Sequence, residues 1–134
     1  MFDRHVDELC ELHDIVRLNG SRGRAEVHRR NGRRTAAIRV PPVRGQVTYF
    51  VALHEIGHLI GPGRSGVRLD KEAAAWRWAL REALVEPTDA CRRRIGARLR
   101  SYVSWAERRQ HRRRPPVLPP PESQFWALLA YLEA

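Results

Sequence analysis

His54-Glu55-Ile56-Gly57-His58 lies inside an apolar run, QVTYFVALHEIGHLI, from Gln46 to Ile60. Two histidines four apart with a glutamate between them form a metal-binding pattern. On a helix, residues four apart lie about 40° apart round the axis, so both imidazoles point the same way. Two imidazole nitrogens on one face can hold one Zn²⁺ at about 2.0–2.1 Å each. Glu55 sits one step round, placed to contact a water rather than the metal. As a carboxylate it can take the proton from that water while zinc lowers the water's pKa. With six His and ten Glu among 134 residues, chance produces H-E-x-x-H in about 2% of shuffled sequences. Burying two histidines and a glutamate unpaired in an apolar helix would be costly, so the setting favours a ligand role.

A catalytic zinc takes a third protein ligand and keeps one position open. The downstream acids are Asp70, Glu72, Glu82, Glu86 and Asp89. Glu72 and Asp70 are the two candidates in the first turn of the next helix. Helical phase puts Glu72 in line with Trp76 and Ala79 on the inward face, whereas Asp70 suits a helix cap. Glu72 is therefore the preferred ligand, with Asp70 as the alternative. A peptidase also needs a donor for the oxyanion of its tetrahedral intermediate. His28, Tyr49, Tyr102, His111 and several arginines are candidates, and sequence does not choose among them. His28, on a hairpin, is attractive because extended peptides bind along sheet edges by strand addition.

The stretch Tyr49 to Ile60, YFVALHEIGHLI, resembles the zinc helix of the ImmA/IrrE family of metallopeptidases. In that family a short loop leads to a helix with an E-x-x-A-x-x-aromatic-A pattern, which Glu72, Ala75, Trp78 and Ala79 fit. The resemblance covers about residues 45–85. It implies a small zincin-like core, with His54, His58 and Glu72 as zinc ligands and Glu55 as general base. It also implies substrates of the repressor type, in phage, mobile-element or stress settings. The chain departs from the family at Ala74, where members often carry a second acid, and it leaves no room for a separate helix-turn-helix domain.

The elements that must position these residues follow from periodicity. Asp3 to Leu18 reads as an amphipathic helix with Val6, Leu9, Cys10, Leu12, His13, Val16 and Leu18 near helical spacing. Two extended runs, 25–30 and 33–40, flank Asn31-Gly32, the strongest short hairpin signal, because both residues tolerate φ > 0. Pro41-Pro42 ends the second strand. The apolar run 46–60 is too long for a strand and reads as a buried helix. Gly61-Pro62-Gly63 opens a loop to Gly66. A helix then runs to about Glu86, its inward face including Ala75, Trp76, Ala79, Leu80, Ala83 and Leu84. After Pro87 a basic helix covers 89–110. Residues 111–121, Arg- and Pro-rich, read as an extended connector, and 122–133 as a last helix able to dock on the body or on a partner. The expected fold is α+β: a small zincin-like core, mostly helical, with a β-hairpin or short antiparallel sheet on the H-E-x-x-H helix. Its domain would span residues 1–110, followed by the connector and the docking helix 122–134.

Charge is unevenly distributed. The net is +10, and 24 of the 25 basic residues are Arg. Residues 17–44 carry nine Arg and one acid, and residues 92–114 ten Arg and one acid, for nets of +8 and +9. The remainder nets −7 and contains the H-E-x-x-H helix. Clustered Arg attracts polyanions through phosphate, and it also forms ordinary solvated faces. No run of about 18 apolar residues is present, which excludes a spanning helix. The N-terminus lacks the build of a signal peptide. Cys10 and Cys91 have no zinc-ligand spacing and read as reduced thiols of a cytoplasmic protein.

The expected function is a zinc-dependent metallopeptidase hydrolysing a specific protein or peptide substrate through a zinc-activated water. The alternative is a basic nucleic-acid-binding or phage or mobile-element interaction protein with a structural or non-catalytic metal site. Its nucleic-acid contact would be the Arg-rich 92–114. No membrane partner is expected, and oligomeric state is left open.

Overall fold

The computed structural model describes residues 1–61 and 67–134. These form an α+β chain of five helices and one three-stranded mixed sheet: α1 (Phe2–Leu12), β1 (Ile15–Asn19), β2 (Arg24–Arg30), β3 (Arg33–Val40), α2 (Gln46–Ile60), α3 (Arg68–Glu82), α4 (Asp89–Glu107) and α5 (Gln124–Glu133). No described helix is long and apolar enough to cross a membrane. From Pro62 onward the expected 61–66 loop lies outside the described residues.

Helix α2 is the axis of the fold. It is apolar all round, and Tyr49 to Gly57 and Leu59 are buried, as expected for a helix with neighbours on every side. Helices α1, α3 and α4 and strands β2 and β3 all pack against it. Gly57 makes the α2–α3 seam tight. A Cβ there would stand 3.0 Å from the Ala75 carbonyl oxygen and 3.1 Å from the Trp78 ring.

The hairpin is as the Asn-Gly signal predicts. Asn31 and Gly32 take φ of 52° and 75°, and β2 pairs antiparallel with β3 from Arg30↔Arg33 to Arg24↔Arg39. The sheet is not purely antiparallel, however. The expected helix to Leu18 stops at Leu12, and residues 15–19 form β1, parallel to β3 in the order β1-β3-β2. Asp14 turns the chain with φ 55°, a conformation its short polar side chain tolerates. The β-branched pair Ile15-Val16 then suits a strand, and Arg17 from β1 is clamped by Asp7 at 2.8 Å and Asp3 at 2.6 Å on α1. Val16, assigned to a helical face, is 46% exposed.

Helix α3 ends at Glu82 instead of near Glu86. Ala83 is extended, and the Leu84 N–H donates to the Tyr49 hydroxyl at 3.0 Å. Leu84 therefore leaves the inward face and is exposed. Helix α5 docks on the body, burying Phe125, Leu128, Leu129 and Leu132. Leu132 lies so close to α4 that a Cβ on Gly96 would meet its backbone at 3.2 Å. The connector is strapped down: Gln110 donates to the Pro116 carbonyl at 2.8 Å, and the Trp126 indole to Pro119 at 3.1 Å. Cys10 and Cys91 are unpaired and buried.

Candidate metal centre

Helix α2 presents His54 and His58 toward α3, and α3 returns Glu72 between them. His54 Nε2 lies 2.9 Å from Glu72 Oε2, His58 Nε2 lies 3.1 Å from the same oxygen, and the two Nε2 atoms are 3.0 Å apart. Among the described residues these three form a group able to hold a metal ion. Glu72 rather than Asp70 completes it. Asp70 stays in the first turn of α3, outside the group.

Protons alone do not satisfy this triangle. A ring nitrogen is either a donor or an acceptor, never both. Two histidine nitrogens and one ionised carboxylate oxygen supply at most two protons for three contacts, so one contact is always unbridged. Three lone pairs converging on one cation remove the conflict. Two imidazoles and a carboxylate are a donor set that could hold a divalent transition metal.

Protonation preferences suit a ligand role at His54 and Glu72, while Glu72 favours a proton on His58. Burial pushes His54 down to about 4, against the pull of Glu72, which leaves a neutral imidazole at physiological pH. Burial alone would raise Glu72, but hydrogen bonds with His54 and His58 reverse that and bring it down to about 2. Burial also opposes charge on His58, yet Glu72 and then Glu55 outweigh it and hold its pKa above the ordinary value. The His54 ring is stacked on Trp76, with centroids 3.9 Å apart at 25°. Its buried Nδ1 has no hydrogen-bond partner among the described residues, so packing on Trp76, not an outer acceptor, orients the ring.

Glu55 lies beside the triangle without joining it. It lines a cavity of about 80 Å³ with Gly23, Val51, His54, Trp76, Arg98 and Tyr102. Burial raises its pKa to about 7, with His58 and Arg98 opposing and Glu72 reinforcing. The β1–β2 loop closes over it: a Cβ on Gly23 would lie 2.7 Å from Val51 Cγ1 and 3.0 Å from Glu55 Oε2. The cavity adjoins a larger groove of about 440 Å³ that shares Gly23, Val51, Arg98 and Tyr102.

Of the oxyanion candidates His28, Tyr49, Tyr102 and His111, Tyr102 alone lines this cavity, and among the arginines Arg98 does. Burial, then the charge of Glu72, pushes its phenol up to about 12, and a side-chain hydrogen bond to Glu72 adds to the effect. Tyr49 is wholly buried elsewhere on α2, its hydroxyl held by His5 Nδ1 at 2.6 Å and by the Leu84 N–H. His28 sits on the exposed part of β2 and pairs with Glu26 at 2.9 Å. His111 is exposed in the turn after α4. The sequence reading did not name Gly23 or Arg98, and it took Trp76 only as part of the inward face beside Glu72. Two of the three carried a signal: Trp76 is four residues from Glu72, and Arg98 is four from Tyr102, so each pair shares a helix face.

Compared with protein-family models, the curated proteins and the solved structures, the chain matches none.

Proposed function

We propose that this chain is a zinc-dependent metallopeptidase with a zincin-like core, acting in the cytoplasm on a specific protein substrate. The triangle of His54 Nε2, His58 Nε2 and Glu72 Oε2, each within 3.1 Å of the others, carries this reading. The resemblance of α2 and α3 to the ImmA/IrrE zinc and glutamate helices supports it, and implies a regulator as substrate.

Bound there, zinc supplies a Lewis acid that makes a water acidic near neutral pH. The chain's own residues do the rest. Glu55, desolvated and with a pKa of about 7, is poised to accept a proton and return it to the leaving amine; a base works best with a pKa near the working pH. Tyr102 keeps its proton well above neutral pH and can donate it in a hydrogen bond to a developing oxyanion. Arg98, exposed at the mouth of the cavity, offers a cation to the incoming chain. Among the described residues β2 pairs only with β3, so its other edge is open beside Gly23 and can take an extended peptide by strand addition.

Metal analysis of the purified protein tests this. One zinc per chain is expected, lost in His54→Ala and retained in Glu55→Gln, with peptide hydrolysis lost in both. Folded protein that takes up no zinc would overturn the reading.

A further inference from the structure

Among the described residues, five arginines are ion-paired with carboxylates of their own or a neighbouring element. Arg17 meets Asp3 and Asp7, Arg24 and Arg39 meet Glu26, Arg92 meets Asp89 and Arg100 meets Glu133. One group does not. Arg68 from α3, Arg109 at the end of α4, and Arg112 and Arg114 line a groove of about 420 Å³ closed by Trp105 and residues 115–117. No carboxylate lines it, and none of the four is in an ion pair among the described residues.

The four guanidiniums are not simply splayed into solvent. Arg68 and Arg109 both stand over the Trp105 ring, 4.8 and 4.9 Å from its centroid. Arg109 is further tied by a 3.0 Å hydrogen bond to the Trp105 carbonyl. Stacking on an indole holds a guanidinium at little further entropic cost. The Gln110–Pro116 hydrogen bond, 2.8 Å, fixes the opposite wall. Cations held together without a counter-charge repel one another. Burial, then Arg112, Arg108 and Arg68, lowers the pKa of Arg109.

We propose that this groove binds the phosphodiester backbone of nucleic acid. A guanidinium fork matches phosphate bidentately, and four forks without an acid suit a ligand with closely repeated charge. Beyond the groove, the exposed Arg94 and Arg108 lie within about 60° of Trp105 in helical phase and extend the positive surface along α4, which spans 19 residues, or about 28 Å. That length fits a polyanion better than one isolated phosphate. Trp105 is already engaged by two guanidiniums, so it fixes cations and offers no free platform for a base. Recognition is therefore of the backbone and carries little sequence preference. The inference uses none of the metal-site residues and stands independently of the peptidase reading.

The test is fluorescence anisotropy with a labelled duplex and a labelled single strand, each titrated with salt. Four phosphate contacts at about −0.9 each give a log–log salt slope near −3.6 on duplex. The double variant Arg112→Gln/Arg114→Gln, whose two side chains are exposed, should fold normally by circular dichroism. Its slope should be shallower by about 2, and its binding at about 50 mM salt at least tenfold weaker. Preference for duplex or for single strand decides which form the groove holds, and either supports the proposal. Absence of binding at about 50 mM salt, or an unchanged slope in the double variant, overturns it. So does equal displacement by poly-glutamate of the same charge, which would assign the groove to an acidic protein segment.

Discussion

Two buried glutamates, Glu55 on α2 and Glu72 on α3, meet different partners and behave in opposite ways. Glu72, on α3 against the two histidines, is 9% exposed and its carboxyl is brought down to about 2; Glu55, on α2 beneath the β1–β2 loop and α4, is 6% exposed and is raised to about 7. Burial disfavours both charges to a similar degree, so burial is not what separates them. Glu72 meets two imidazoles at 2.9 and 3.1 Å, which stabilise its anion. Glu55 meets a backbone glycine, a valine and a small cavity, which do not. One carboxylate is thereby held charged and fixed, the property of a ligand, and the other is kept ready to gain a proton, the property of a base.

The largest effect that could break this contrast is on turnover. Replacing Glu55 with Gln removes the proposed base and should lower hydrolysis about 10²- to 10⁴-fold, with one zinc still bound. Replacing Glu72 with Gln should instead remove the zinc, read by metal analysis after dialysis, and with it the activity. If both variants lost metal together, the two carboxylates would not be functionally distinct.

Stability of the metal-free protein should separate the same two variants by sign. Glu55 has a folded pKa of about 7, above its unfolded value, so folding favours the protonated acid. That imposes no cost below about pH 4.5 and its full cost, at most about 3 kcal/mol, above pH 7. Glu55→Gln should therefore raise the chelated protein's Tm at pH 8 and leave it unchanged at pH 4. Glu72 has a depressed folded pKa of about 2. Its stabilisation is full above about pH 4.5, of the same order, and is lost as pH falls toward 2. Glu72→Gln should lower Tm at pH 8. Thermal melts of both variants at the two pH values check the prediction, and shifts of the same sign at pH 8 would contradict it.

The α3 side of this contrast was legible in the sequence, and the α4 side was not. An unbroken apolar run around His54 and His58 announces a buried helix, and Glu72 shares the phase of Trp76 and Ala79, so periodicity alone turns it inward. Asn31-Gly32 likewise sets the hairpin through backbone conformation. Strand β1 was hidden because Val6, Leu9, Leu12 and Val16 keep a helical spacing across Asp14. Only a left-handed residue, held by tertiary pairing with β3 and the Arg17 clamp, ends the helix. Tyr49 is a reasonable donor by type, yet His5 and Leu84, distant in sequence, take its hydroxyl. Arg98, Tyr102 and Gly23 meet Glu55 only because of how α4 and the β1–β2 loop settle on α2. That is a matter of long-range packing, which local spacing does not encode.

The seam offers a smaller perturbation. In Gly57→Ala, the added methyl would lie 3.0 Å from the Ala75 carbonyl oxygen and 3.3 Å from its Cα. Backbone on both sides has little room to yield, so α3 must move away. Overpacking of this kind costs about 1–3 kcal/mol, measured as a lower midpoint in urea. It should also weaken zinc affinity, because the shift carries Glu72 away from both histidines. The effect on Glu55 should be secondary, so activity at saturating zinc should recover most of the loss.

Gly23→Ala is the smallest change and the mirror of Gly57→Ala. Its methyl would meet Val51 Cγ1 at 2.7 Å and Glu55 Oε2 at 3.0 Å. Both are side-chain ends rather than backbone, and the adjoining cavity of about 80 Å³ gives the carboxylate somewhere to go. Stability should therefore fall by no more than about 1 kcal/mol, within the range of an ordinary substitution. Zinc content should not change, because the methyl meets Val51 and Glu55 and none of the three ligands. Turnover should fall about tenfold, since a base displaced by a few tenths of an ångström no longer meets its proton in line. Loss of activity with metal and stability intact would show that the loop holds the base while the seam holds the ligand. Loss of zinc from Gly23→Ala would merge the two regions into one cooperative unit.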